Sequence, residues 1–250
     1  MPRYRTRNWL PKFRAKFQTS CVYEYKGRER RLVRFVDPWS NVYYYAGSKG
    51  REHKVRRVCR DGDVYYYAGP KDHEVPTRCV RTDGSVDYYK RVAGGPRGYA
   101  RTRTVKANGN VAHFEGDKHL EERLVRVDTP NGNVMHFEGD ASHERMVRHE
   151  INGAVYHHEG EHERLVRAEF PDGTVRHFLG ERGSEWEVRT EYPDGHVWHH
   201  EQFDSNQERL VRRTFPNGEV WHYEGDPDYE YKVREVDADG NVSHYTGVRD

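Results

Sequence analysis

Seven histidines recur from residue 113 onward, each two residues beyond a valine: His113, His136, His157, His177, His199, His222 and His244. An arginine series runs in step with them and begins earlier: Arg34, Arg56, Arg78, Arg103, Arg126, Arg148, Arg167, Arg189, Arg212 and Arg234. In the first three repeats the ring matched to the arginine is Tyr44, Tyr66 or Tyr88 instead of histidine, and Glu115, Glu138, Glu159, Glu201 and Glu224 follow the later rings. Imidazole, guanidinium and carboxylate together can ligate a metal, exchange protons, or stack as a ladder of cations on rings. Geometry decides against the metal. If each repeat is a hairpin, successive histidines lie two strand spacings apart, about 9.6 Å. Two imidazoles on one zinc each need a donor roughly 2.0–2.1 Å from the ion, and an arginine stands between neighbours. Recurrence decides against acid–base catalysis, because an active site is singular and concave. The expected role is a structural ladder, with no catalytic, cofactor or metal site. Flanking arginines should make these histidines hard to protonate unless the glutamates compensate.

The elements that position this ladder follow from its spacing. A valine opens the second run of each repeat, from Val42 to Val242, at intervals of 20 to 25 residues, with Val22 opening a preceding half repeat. Just before it stands Asp-Gly or Asn-Gly in nine of ten repeats, from Asp61-Gly62 to Asp239-Gly240; Asp37–Asn41 departs from that pattern. Such dipeptides between short β-branched runs signal hairpins. Pro130, Pro171, Pro193 and Pro216 precede the dipeptide, which suits a type I turn followed by a left-handed glycine. That register sets arginine opposite imidazole or tyrosine on one face. On the other face it sets a β-branched residue (Val33, Val55, Thr77, Thr102, Val125, Val147, Val166, Val188, Val211, Val233) opposite a ring (Tyr45, Tyr67, Tyr89, Phe114, Phe137, His158, Phe178, His200, Tyr223, Tyr245). Pairs of this kind contribute roughly 0.2–1 kcal/mol each and are the expected core.

The 250 residues are 33% charged and 34% hydrophobic, with a mean hydropathy of −1.14. Eighteen Tyr, nine Phe and five Trp argue against disorder, and a thin repeat structure with two wet faces fits. A net charge of +1 gives no long-range pull on nucleic acid. Cys21, Cys59 and Cys79 fall at unlike places in the repeat and read as reduced thiols. Neither an apolar run of transmembrane length nor a signal-peptide core is present, so the expected compartment is intracellular, in the cytoplasm. Residues 1–20 form a basic arm: Arg3, Arg5, Arg7, Lys12, Arg14 and Lys16, with Trp9 among interleaved aromatics, meet no acid before Glu24. Docking to a protein partner is the preferred reading of the arm; nucleic-acid binding, organelle targeting and simple packing beside the first strand are its alternatives.

The Asp-Gly and Tyr-x-Gly rhythm, as in Tyr223-Glu224-Gly225-Asp226 and Tyr192-Pro193-Asp194-Gly195, resembles MORN repeats over residues 22–250. The paired Gly-x-Gly of that family is missing. The resemblance implies a single-layer antiparallel meander that acts as a scaffold and sometimes touches lipid. Glu163–Phe178 also resembles uncharacterised tandem repeats of unicellular algae. The expected fold is all-β: about ten tandem hairpins over residues 21–250 in an elongated, twisted antiparallel meander, with a five-bladed propeller as the alternative. The expected function is a non-enzymatic scaffold binding other proteins or itself. The alternative is a lipid- or carbohydrate-binding module using Tyr43, Tyr65, Trp198 and Trp221 as platforms.

Overall fold

The computed structural model describes residues 5–6, 22–26, 31–92, 98–116, 121–204 and 207–246, of which 5–6 and 22–24 as backbone alone. The chain divides into two compact units, Met1–Pro130 with Asp140–His143, and Asn131–Gly139 with Glu144–Asp250. The first unit carries β1 (Arg5–Thr6), β2 (Val22–Lys26), β3 (Arg31–Val36), β4 (Val42–Ala46), β5 (His53–Val58), β6 (Val64–Ala68), β7 (Val75–Val80), β8 (Val86–Arg91), β9 (Tyr99–Val105), β10 (Val111–Glu115) and β11 (Arg123–Asp128). The second carries β12 (Val134–Glu138), β13 (Arg145–Ile151), β14 (Ala154–Glu159), β15 (Arg164–Glu169), β16 (Val175–Leu179), β17 (Trp186–Glu191), β18 (Val197–Gln202), β19 (Glu208–Thr214), β20 (Val220–Glu224), β21 (Tyr231–Val236) and β22 (Val242–His244). Within each unit every strand pairs antiparallel with its neighbours in sequence. The fold is an all-β meander of tandem hairpins. The propeller alternative is overturned, because the ladder continues past a fourth strand without breaking into blades. Of the basic arm, only the backbone of Arg5–Thr6 is described, paired with Val22 and Tyr23; Arg3, Arg7, Trp9, Lys12, Arg14 and Lys16 lie outside the described residues.

The turns close as their residues dictate. Gly173 takes φ 88°, its N–H reaches Phe170 O at 2.9 Å, and Phe170 N–H reaches Thr174 O at 2.9 Å: a type I turn with a left-handed glycine. Two turns differ from expectation. Asp37–Asn41 is no departure in backbone, since Ser40 occupies the left-handed place at φ 69° and Ser40 N–H closes onto Asp37 O at 3.1 Å. Asn152-Gly153 is a two-residue loop with φ of 52° and 83° between the paired residues Ile151 and Ala154. One residue fewer stands between its arginine and histidine, and the mirror-image turn absorbs the deletion without moving the pairing.

Between repeats the ladder carries a β-bulge that the register reading lacks. Tyr44 faces Arg56 but Tyr45 faces Lys54; His177 faces Arg189 but Phe178 faces Glu187; His199 faces Arg212 but His200 faces Leu210. The residue passed over is Val55, Val188 or Val211, a member of the supposed core row. Two residues of the bulged strand oppose one on its partner, so across each repeat boundary the rings face Leu, Lys, Arg, Met, Pro or Glu. Burial shows the same correction. The largest fully buried side chains are Thr190, Asp87 and Cys79, while the valine row is half-buried. In a thin layer only small groups lie wholly beneath the long rings and guanidiniums of their neighbours.

A glutamate of the following repeat secures each of seven bulges. The N–H of the residue just before the bulge donates to that carboxylate: Leu32 to Glu52 (3.2 Å), Lys54 to Glu74 (2.8 Å), Arg101 to Glu122 (2.8 Å), Met146 to Glu163 (2.7 Å), Leu165 to Glu185 (3.0 Å), Glu187 to Glu208 (2.7 Å) and Leu210 to Glu230 (3.0 Å). These charge-assisted bonds tie each repeat to the next. Burial alone would raise Glu74 and Glu185, but backbone N–H donors outweigh it, Lys54 for Glu74 and Leu165 for Glu185, and hold both carboxyls below the usual range.

Candidate functional site

The arginines fall in register with the rings, hairpin by hairpin. Arg34 faces Tyr44, Arg56 Tyr66, Arg78 Tyr88, Arg103 His113, Arg148 His157, Arg167 His177, Arg189 His199, Arg212 His222 and Arg234 His244. Each ring before His244 also meets the next repeat's arginine before the bulge, as Tyr44 meets Arg56, His113 Arg126 and His136 Arg148. Over the tyrosines the guanidiniums stack, Arg78 at 4.4 Å from the Tyr66 centroid and Arg103 at 4.3 Å from Tyr88. Such contacts contribute roughly 0.5–1 kcal/mol where exposed.

Where histidine replaces tyrosine, carboxylates enter, but not the expected ones. Asp128, Glu150, Glu169 and Glu191 each stand two residues beyond an arginine and bridge it to the preceding repeat's histidine. Asp128 accepts from Arg126 Nε at 2.6 Å and His113 Nε2 at 2.7 Å. Glu150 lies 2.9 Å from Arg148 Nη1 and 3.4 Å from His136 Nε2, the latter too poorly aligned to count as a hydrogen bond. Glu169 binds Arg167 and, at 2.9 Å, His157; Glu191 lies 2.8 Å from both Arg189 and His177. Glu115, Glu159 and Glu201 pair instead with Arg123, Arg164 and Arg209 at the far end of the strands, because the bulge brings those arginines opposite them. A carboxylate two residues from the arginine shares its face, whereas the glutamates after the rings meet a strand end. The Glu169 carboxyl is held below its usual range by the His157 hydrogen bond and then by Arg167.

The bridge stops after Glu191. Thr214 and Val236 occupy the next two equivalent places. There, burial and then Arg212 and Arg189 push His199 down, and burial, Arg234 and Arg212 push His222 down. Hindered protonation therefore holds for these two rings.

The opposite face holds two denser clusters. In the first unit Asp87, fully buried, accepts from Arg81 Nε (2.9 Å), Tyr89 Oη (3.2 Å) and Thr104 Oγ1 (2.5 Å). Burial beside it pushes the Cys79 thiol up to about 11, which makes it inert as a nucleophile. In the second unit a groove of about 420 Å³ is lined by Arg176, Phe178, Trp186, Glu187 and Gln202 among others. The Glu187 carboxylate there accepts from Thr190 and lies 3.4 Å from both Arg176 and His200, which makes it a shared counter-ion. Trp198 is contacted by Tyr192 (5.0 Å) and Arg213 (4.1 Å), and Trp221 by Phe215 (4.6 Å) and Lys232 (4.1 Å); Arg57 lies over Tyr65 at 4.5 Å and Phe35 against Tyr43 at 5.5 Å. Among the described residues Trp39, in a turn, is the open indole, at 72% exposure. Among the described residues no three His, Cys, Asp or Glu side chains are placed to hold a metal ion, and no helix is long and apolar enough to cross a membrane.

No protein-family model matches the chain, and no functionally curated protein does. Among solved structures, the TcdB2-TccC3 crystal structure is 12% identical over 88% of this chain and 16% of its own, at a TM-score of 0.23. The Photorhabdus luminescens Tc holotoxin pore with mutation TccC3-D651A is 11% identical over 90% of this chain and 14% of its own, at 0.24. The chain spans about a sixth of the length of these structures, and similarity at that level carries no functional argument.

Proposed function

We propose that the chain is a non-enzymatic scaffold that binds other proteins along its repeats, within a larger assembly. The observation that carries this reading is the recurrence of one Arg–ring contact from hairpin to hairpin on a half-exposed face. A surface of equivalent positions suits a partner that runs across many strands better than a substrate held at one point. The MORN-like rhythm of the repeats supports the same conclusion. A lipid- or carbohydrate-binding role is the second reading. It has less support, because Trp198 and Trp221 are already contacted by cations and rings, so a sugar or lipid would have to displace them. Affinity capture on the immobilised chain, followed by reconstitution with the purified partner, tests the scaffold. A stoichiometric complex that survives deletion of residues 1–20 is expected. Saturable binding to liposomes or glycans at low micromolar concentration, with no reconstitutable protein complex, would overturn it.

A further inference from the structure

The second compact unit ends in a stretch where the Arg–His ladder runs on without its acids. Glu150, Glu169 and Glu191 follow Arg148, Arg167 and Arg189 by two residues; Thr214 and Val236 follow Arg212 and Arg234. The register is unchanged: His199 faces Arg212, Arg212 faces His222, His222 faces Arg234, and Arg234 faces His244. One repeat earlier, Glu191 takes donors from His177 and Arg189 at 2.8 Å each. At the equivalent place the Thr214 hydroxyl oxygen is buried and has no hydrogen-bond partner. Among the described residues Arg212 makes no ion pair, and Arg234 reaches only His222, at 3.5 Å. The other charged groups on this face of β18–β22 do not fill the gap. Arg189 is held by Glu191 and Arg209 by Glu201, and Glu224 is exposed beyond His222, in register with Tyr231. His199 and His222 are both held down by burial and by the adjacent guanidiniums, which is the field of a cationic stripe without a counter-ion.

We propose that Arg212 and Arg234, with His199, His222 and the Thr214 hydroxyl, bind two carboxylates of an extended acidic protein segment, each taking in its own repeat the place that Glu191 holds between His177 and Arg189. This rests on the scaffold reading and names the chemistry of its partner. Carboxylate is the anion with a precedent in the molecule, since the same Arg–imidazole pair already binds it twice in this unit, at Glu169 and Glu191. Spacing narrows the partner further. The two places are two strands apart, about 9.6 Å, and a polyproline II segment returns to the same face every third residue, about 9.3 Å on. The partner therefore carries acids three residues apart in an extended, proline-rich stretch that crosses the strands.

The test uses the full chain and a fluorescent peptide of four Glu-Pro-Pro triplets, titrated by anisotropy against wild type, T214E/V236E and R212Q. The double variant restores in cis the acids that earlier repeats carry, so it keeps the fold while occupying the site. Wild type should bind saturably and more weakly as salt rises. Both variants should bind about tenfold more weakly or worse, T214E/V236E with an undiminished thermal midpoint, and a Gln-Pro-Pro peptide should not bind. Equal peptide binding by wild type and T214E/V236E overturns the proposal, as does a single-stranded oligonucleotide that competes as strongly as the peptide. A native partner retained equally by both proteins leaves the scaffold reading standing and overturns the stripe. Peptide binding that T214E/V236E loses, with no protein partner reconstituted, does the reverse.

Discussion

At the scale of single residues, carboxylates do three separate jobs, and their position in the repeat decides which. Those two residues beyond an arginine bridge guanidinium to imidazole, those after the rings make exposed pairs, and those before the first strand clip a bulge. Glu185→Ala strips the acceptor from Leu165 N–H and Gly183 N–H, which should cost about 1–3 kcal/mol in urea unfolding. Glu115→Ala, whose Arg123 pair is largely exposed, should stay within about 0.5 kcal/mol. The pH dependence has a defined sign. His199 and His222 are depressed, so the unfolded chain takes up their protons first and stability falls as pH drops below about 6.5. A second loss follows below about pH 4, where depressed carboxyls such as Asp128 and Glu169 protonate. Thermal midpoints across that range should show two descending steps, the upper one reduced in a His199→Gln/His222→Gln variant to what His149 contributes, since burial and His158 hold that ring down as well. The arginine row and its ring partners were legible in the sequence because both recur at fixed distances from the Asn-Gly and Asp-Gly turns. The bridging acids were not. Asp128 and Glu150 look like turn-flanking polar residues until the register places them beside the preceding repeat's histidine.

At the scale of elements, the hairpin turns were readable because left-handed backbone selects glycine so strongly. The connections between hairpins were not, since the extra bulge residue is an ordinary valine or threonine and only the pairing on both sides reveals it. The glycine that starts most connections also hides its role. At Gly180 (φ 112°) an added Cβ would sit 2.5 Å from the Ser184 carbonyl oxygen, whereas at Gly183 (φ 79°) it meets open space. Gly180→Ala should therefore destabilise by about 2 kcal/mol or more, and Gly183→Ala by about 1 kcal/mol, measured by urea unfolding. Ser40 shows the converse: holding φ 69° without being glycine, it should gain about 0.5–1 kcal/mol on Ser40→Gly.

At the scale of the whole molecule, stability is the sum of hairpins and of the contacts between neighbours. Excising residues 168–189 joins Arg167 to Thr190, the residue equivalent to Ala168, and removes one complete repeat. The shortened chain should still melt cooperatively, a few degrees lower. Excising 168–178 removes a single strand with its turn, reverses the direction of every later strand, and should abolish the transition. Composition foretold a layer too thin for a conventional core, and the buried Cys79, Ala168 and Thr190 agree. Hydrogen exchange of the chain with and without its purified partner tests the central claim most directly. Protection at equivalent strand positions in several successive repeats, all on the arginine face, is the predicted result; protection confined to one concave spot of unlike residues, such as the groove beside Glu187, would contradict it.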